Sequence, residues 1–105
     1  MLLELRTVSR KTPGDGRLEI SAESARRLAP FGERLTVRVG GEAEVVGEGR
    51  VTSITCTCEK GGGGEGGHEH HFLASDLFRS LAPGETVGIE LLDRGVLHIA
   101  LPHPL

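Results

Sequence analysis

The chain has 105 residues, of which 37% are hydrophobic, with no Trp or Tyr and a formal net charge of −3. This length fits one domain with an aliphatic core, and no apolar run approaches the roughly 20 residues of a membrane-spanning helix. The N-terminus lacks a basic region followed by an apolar stretch, so we expect no signal peptide and a cytoplasmic protein.

The first half of the chain, residues 1–52, alternates short strands with one short helix. Leu35, Val37 and Val39 alternate with polar residues, which predicts a strand that buries one face. Ser21 stands where a helix N-cap belongs, and Pro30 ends the helix that it begins. The predicted elements are strands at 2–8, 17–20, 34–39 and 42–46 and a helix at 22–29.

The second half, residues 53–105, repeats this order. Leu81-Ala82-Pro83-Gly84-Glu85 matches Leu28-Ala29-Pro30-Phe31-Gly32-Glu33 with one residue deleted, and Ser75 stands at the second N-cap. The predicted elements are strands at 51–58, 70–73, 86–92 and 96–101 and a helix at 76–82. We therefore predict a single, mainly β domain: a small pseudo-two-fold β-barrel of two β-β-α-β-β repeats with two short helices.

Residues 5–39 carry a family resemblance, and they include a segment from Arg6 to Arg17 that we call the basic segment. Gly16-Arg17-Leu18-Glu19-Ile20-Ser21, followed by a short helix and Gly32-Glu33-Arg34-Leu35, resembles the AbrB/MazE-type swapped-hairpin pattern over residues 5–39. Two such units on one chain resemble the related double-psi barrels and the plant-type B3 DNA-binding pseudobarrel. The resemblance implies a barrel that contacts DNA. Swapped-hairpin relatives pair as dimers, so it implies either a homodimer or, because two units are fused on one chain, the same pairing within the chain. The implied DNA-contacting residues are Arg6, Arg10, Lys11 and Arg17.

Residues 56–71 contain both cysteines and three of the five histidines, on either side of a glycine-rich run. Thiolate and imidazole ligands are what tetrahedral Zn²⁺ binds, and nickel and copper accept them too. If the hairpin closes across residues 59–67, its two ends face each other, and His71 or Glu65 is the alternative ligand if only one cysteine binds. The predicted metal ligands are Cys56, Cys58, His68, His70 and His71.

Other interpretations of this segment stay open. Cys56 and Cys58 align with Leu3 and Leu5 of the first half, so both could be small core residues. The histidines could equally be solvated residues of a glycine-rich loop.

The sequence thus predicts a metal-binding, preferably zinc-binding, module with a structural or sensor role. The alternative is a DNA-binding transcriptional regulator of the swapped-hairpin or B3-like kind, and the third interpretation is a metal-dependent hydrolase. No nucleophile motif and no phosphate-binding loop is present, which favours a protein that is not an enzyme. The expected partners are a metal ion, DNA and a second copy of the chain, without a membrane.

Overall fold

The computed structural model of the chain describes residues 1–31, 34–41, 43–56 and 68–101. Within these residues the strands are β1 (Leu2–Thr7), β2 (Arg17–Ile20), β3 (Leu35–Gly40), β4 (Glu44–Cys56), β5 (His68–Ala74), β6 (Thr86–Asp93) and β7 (Val96–Ala100). The helices are α1 (Thr12–Asp15) and α2 (Ala22–Leu28), with two 3₁₀ helices, η1 (Ala29–Phe31) and η2 (Asp76–Ser80).

The strands form one sheet in the order β1-β6-β7-β3-β4-β5-β2. Neighbouring strands are antiparallel except β3 and β7, which are parallel. The sheet curls into a nearly closed barrel, so the predicted mainly β class and barrel shape are confirmed. The two-repeat architecture and the division into halves stay predictions.

The two end strands of the sheet meet through one carboxylate. Glu4 on β1 accepts hydrogen bonds from Ser21 N (2.8 Å) and Ser24 Oγ (2.6 Å), at the point where β2 ends and α2 begins. Ser21 Oγ also accepts from Ser24 N, which confirms the predicted N-cap. These bonds join β1 to the β2 end of the barrel without a strand ladder between them.

β4 is one long strand, and the prediction of separate strands at 42–46 and 51–58 was wrong. Its first half pairs with β3 as far as Gly49, and its second half pairs with β5 from Arg50 onward. A Cβ at Gly49 would lie 2.6 Å from Val37 Cγ2 and 3.1 Å from Ala74 O. Glycine therefore permits the close approach at which β4 passes from one partner strand to the other.

The core is aliphatic apart from Phe78 of η2, which is fully buried. Leu35, Val37 and Val39 are buried, as their alternation predicts. The fully or nearly buried apolar residues are Val8, Leu18, Ile20, Ala25, Leu28, Leu35, Val37, Val39, Leu73, Phe78, Leu81, Val87, Ile89, Leu97 and Ile99. Burial of these side chains is the main favourable term in folding.

Leu3 and Leu5, the residues that align with the two cysteines, do not belong to this core. Leu5 is 43% exposed, and Leu3 is only partly buried against the core. The interpretation of Cys56 and Cys58 as core residues depended on core leucines at the aligned positions. The structure removes that basis for Cys58, whose counterpart Leu5 is exposed, whereas Leu3, the counterpart of Cys56, packs against the core.

The helices differ from prediction in two places. The segment predicted as a helix at 76–82 is the 3₁₀ helix η2, although Ser75 caps it as expected by accepting from Leu77 N at 3.3 Å. The four-residue helix α1 was not predicted, and it ends at Gly16 in the left-handed conformation, with φ of 67°. No helix in the described ranges is long and apolar enough to cross a membrane.

Candidate nucleic-acid interface

The side chains that face outward from β2, β5 and β4 form one surface next to the basic segment. Leu18 of β2 and Leu73 of β5 are buried, so the residues that alternate with them face away from the core. The register aligns Arg17 with Ala74 and Glu19 with Phe72. Across the other edge of β5, it aligns Arg50 with Ala74, Thr52 with Phe72 and Ile54 with His70. Because residues opposite each other in a ladder share a face, all of them lie on one outer surface.

A groove of about 620 Å³ runs over the Phe72 end of this surface, and we call it the Phe72 groove. Arg17 lies over its aromatic residue, with the guanidinium carbon 4.8 Å from the centroid of the Phe72 ring. The groove is lined by Ser9, Arg10, Lys11, Asp15, Arg17, Glu19, Ile54, His70 and Phe72. An aromatic floor with a basic rim is suited to a ligand that combines flat rings with negative charge.

The segment that carries Arg10 and Lys11 is held in place by α1 and the turn after it. Gly16 O accepts a hydrogen bond from Ser75 N at 2.9 Å, and Arg79 Nη1 donates to Gly14 O at 2.6 Å. A Cβ at Gly16 would lie 3.3 Å from Ser75 O, so glycine allows both the left-handed turn and this contact. The basic residues are therefore presented by a segment docked on the barrel.

A second groove of about 710 Å³ begins where the first one ends, and we call it the Arg50 groove. The two grooves share Asp15, Arg17 and Ile54. The charged residues that line the second groove are Asp15, Arg17, Arg34, Glu48, Arg50, Asp76 and Arg79. Arg17 therefore lies at the junction of one extended surface concavity.

Some basic side chains in these grooves form ion pairs with acidic neighbours, and others do not. Arg17 lies 3.3 Å from Asp15, and Arg79 lies 3.6 Å from Asp76. Among the residues that the structure describes, four basic groove residues form no ion pair: Arg10, Lys11, Arg34 and Arg50. Together the grooves hold six basic and four acidic residues, a net of +2, in a chain whose net charge is −3. Positive charge is therefore concentrated on this surface.

The structure brings together three of the four residues proposed for DNA contact. Arg10, Lys11 and Arg17 line the Phe72 groove. Arg6 lines neither groove and instead lies with its Nε 3.1 Å from Glu4 Oε1. Arg6 therefore forms an ion pair with Glu4, the carboxylate that joins β1 to α2.

The pKa of Glu4 is lowered from its ordinary value by the groups that surround its carboxylate. Burial raises the pKa of Glu4, but hydrogen bonds from the Ser21 backbone, from Ser24 and from the Ser21 side chain, together with the Arg6 charge, lower it further than burial raises it. The folded chain therefore holds Glu4 ionised.

The predicted metal ligands fall only partly within the described residues. The register places Cys56 opposite His68, and His70 follows two residues along β5. His70 Nδ1 lies 3.0 Å from Glu19 Oε2. Cys58 lies outside the described residues. Within the described ranges, no group of three or more His, Cys, Asp or Glu side chains gathers in a way that could hold a metal ion.

His71 is turned away from His70. Its Nδ1 lies 2.8 Å from Ser53 Oγ, on the side of the sheet opposite to His70, as expected for adjacent residues of a strand. The structure therefore separates His71 from the face that carries His70 and Ile54.

Phe72, Arg34 and Arg50 are groove residues that the sequence did not single out. Phe72 follows two histidines in a predicted strand, and its importance depends on Arg17, which is distant in sequence. Alternation along the strands gives a usable signal, because Phe72 and Arg50 alternate with the buried Leu73 and the core-packed Val51 and so face outward.

Comparison of the chain with protein-family models, curated proteins and solved structures found no match.

Proposed function

We propose that this protein is a nucleic-acid-binding barrel that contacts its ligand with the outer surface of β2, β5 and β4. One observation carries this proposal: Arg10, Lys11 and Arg17 line the same groove as Phe72. Nucleic acids present phosphates to basic side chains and flat bases to aromatic ones. This groove offers both kinds of group within one concavity.

The pairing of charges supports a polyanionic ligand. An ion pair within the protein satisfies a basic side chain, whereas Arg10, Lys11, Arg34 and Arg50 form none within the described ranges. They are distributed along two grooves that meet at Arg17. Several unpaired cations along a continuous path suit a chain of phosphates better than a single anion.

The resemblance of residues 5–39 to the AbrB/MazE swapped-hairpin pattern and to B3-like barrels points the same way. In this proposal the basic segment before β2 is the element that meets the nucleic acid, as that resemblance implies. We include in the proposal that the barrel is of the swapped-hairpin or B3-like type, that the protein is a homodimer and that it has a regulatory role. The barrel fold supports this proposal.

The test is binding of a fluorescently labelled oligonucleotide, followed by anisotropy as salt is raised from about 50 to 200 mM. We expect measurable binding at low salt and a steep fall in affinity with salt. The variant Arg10→Ala/Lys11→Ala should bind more weakly and flatten the salt slope by about one unit for each phosphate that it no longer neutralises.

The matched control is Arg26→Ala/Arg27→Ala, which removes the same charge from α2, outside both grooves. Its salt slope should stay that of the wild type. Equal effects of the two double variants, or equally effective competition by polyglutamate of the same charge, would show that no nucleic-acid site lies in the groove.

We also propose that the β4–β5 hairpin binds a zinc ion through Cys56, Cys58, His68 and His70. In favour of this second function, the register pairs Cys56 with His68, and a Glu19 oxygen lies 3.0 Å from Nδ1 of His70. A carboxylate beside one ring nitrogen is how proteins orient a histidine that binds metal through the other. The hydrolase interpretation stays an expectation from the sequence.

Elemental analysis of protein purified without a histidine tag tests the zinc site. We expect about one zinc ion per chain, as four ligands from one hairpin imply, and a lower melting temperature after chelation. Protein without metal, whose melting temperature is indifferent to chelator and to added zinc, would remove this second function and leave the nucleic-acid proposal untouched.

A further inference from the structure

We infer that the nucleic acid bound by this surface is single-stranded, with one base stacked on the Arg17–Phe72 pair. This inference rests on the proposed function and narrows it to one class of ligand. Three features carry it: a restrained guanidinium over an aromatic ring, cations on both sides of that pair that form no ion pair within the described part of the chain, and the position of the pair on a sheet surface.

The Arg17 guanidinium is held from two directions. The Phe72 ring lies beneath it, with 4.8 Å between the guanidinium carbon and the ring centroid. Asp15 Oδ2 lies 3.3 Å from Arg17 Nη2 at its edge. A guanidinium is planar, and unstacked bases pack on such planes as they do on aromatic rings. The pair is therefore a preformed stacking platform.

The Phe72 ring is also flanked by the imidazole of His70. The two ring centroids are 6.4 Å apart, with 32° between the ring planes. The Phe72 ring thus has the Arg17 guanidinium above it and the His70 ring beside it, on the outer surface of β2 and β5. Flat groups in succession suit a ligand that itself carries successive flat rings.

Cations that form no ion pair with the residues that the structure describes lie on both sides of the platform. Arg10 and Lys11 line the Phe72 groove, and Arg34 and Arg50 line the Arg50 groove. Arg17 belongs to both grooves, so the platform is at their junction. A strand that crosses the junction would place phosphates on each side and a base between them.

This arrangement favours a single strand over a duplex. Bases within a duplex are stacked on one another and cannot lie flat on a protein side chain, whereas those of a single strand can. A duplex would use only the cations and would have no use for Phe72. A half-buried phenylalanine beneath an arginine, on the outer surface of the sheet, is explained by the single-stranded ligand.

The test measures anisotropy with a single-stranded oligonucleotide of mixed sequence and with the duplex of the same sequence. We expect the single strand to bind more tightly. Phe72→Leu keeps an apolar side chain and removes the ring, and should weaken single-strand binding by about 5- to 150-fold, the range for removal of one stacked base. Duplex binding should not change.

A second variant separates stacking from charge and from loss of fold. Arg17→Lys keeps the charge and removes the plane. It should weaken single-strand binding while the slope of affinity against salt stays that of the wild type. Leu92→Ala, which truncates an exposed apolar residue outside both grooves, is the control and should bind as the wild type does.

The outcomes distinguish this inference from the proposed function. Tighter binding of the duplex, or single-strand binding that Phe72→Leu and Arg17→Lys leave unchanged, would overturn the single-strand inference and leave nucleic-acid binding in place. Absence of binding to either oligonucleotide at low salt would overturn both.

Discussion

Arg17 on β2 lies over the ring of Phe72 on β5, and the two are diagonal neighbours in the ladder, because Arg17 pairs with Ala74 and Glu19 pairs with Phe72. The contact crosses the boundary between the two halves of the chain. It places a basic residue of the first half on an aromatic residue of the second. The candidate interface therefore exists only after β2 and β5 have paired.

The Arg17–Phe72 contact should contribute little to stability. The Arg17 side chain is 34% exposed, and a cation–π contact at an exposed site is worth about 0.5–1 kcal/mol. Arg17→Lys should therefore lower the free energy of unfolding by less than about 1 kcal/mol, measured by urea denaturation. A much larger decrease would mean that the pair serves the fold and that the binding experiments need other variants.

Gly49 should be intolerant of a side chain. Gly49→Ala places a Cβ 2.6 Å from Val37 Cγ2, in the buried strand crossing, and should cost about 1–3 kcal/mol of unfolding free energy. Gly14→Ala is the matched control, because a Cβ there meets nothing within 4 Å. Thermal melts of both variants check this, and equal melting temperatures would contradict the tight passage of β4 between its partners.

Glu4 should make stability depend on pH in the acid range. Its pKa is lowered on folding, so its contribution is complete above its ordinary value of 4.5 and disappears as the pH falls through the lower pKa of the folded state. Glu4→Gln should cost about 1–2 kcal/mol at neutral pH. The difference from the wild type should shrink as pH falls, in denaturation curves measured from neutral pH to below 4.5. A difference that does not change with pH would contradict an ionised Glu4.

The two neighbouring histidines should respond differently to zinc. His70→Gln should reduce zinc affinity by about 10-fold or more, because it removes a proposed ligand. His71→Gln should leave zinc affinity unchanged, because His71 lies on the opposite face of β5 beside Ser53. Competition with a colorimetric chelator measures both. The reverse order of effects would show that the metal, if bound, lies on the other side of the hairpin.

Local sequence patterns predicted the parts of the fold that depend on neighbouring residues. Alternation located β3, and Ser21 and Ser75 marked both caps. The strands predicted at 42–46 and 51–58 left four residues between them, whereas β4 continues through these residues, and Gly49 permits its close passage between two partner strands. The pairing of β1 with β6 is non-local, so no local pattern indicates it.

The candidate interface was predictable only in part for the same reason. Arg10, Lys11 and Arg17 form a basic segment that is visible in sequence, and they line one groove. Arg6 belongs to the same segment, but it pairs with Glu4 and lines neither groove. Phe72 and Arg50 join the surface through the β5 register, which depends on which strands pair.

Chemical-shift mapping by NMR, with isotope-labelled protein and an unlabelled single-stranded oligonucleotide, tests the central claim most directly. We predict that the backbone amides of Lys11, Arg17, Phe72 and Arg50 shift in a saturable way and that the amide of Leu92, which is exposed on β6 outside both grooves, does not. Saturable shifts confined to residues outside the two grooves, or the absence of shifts at low salt, would contradict a nucleic-acid interface on the outer surface of β2, β5 and β4.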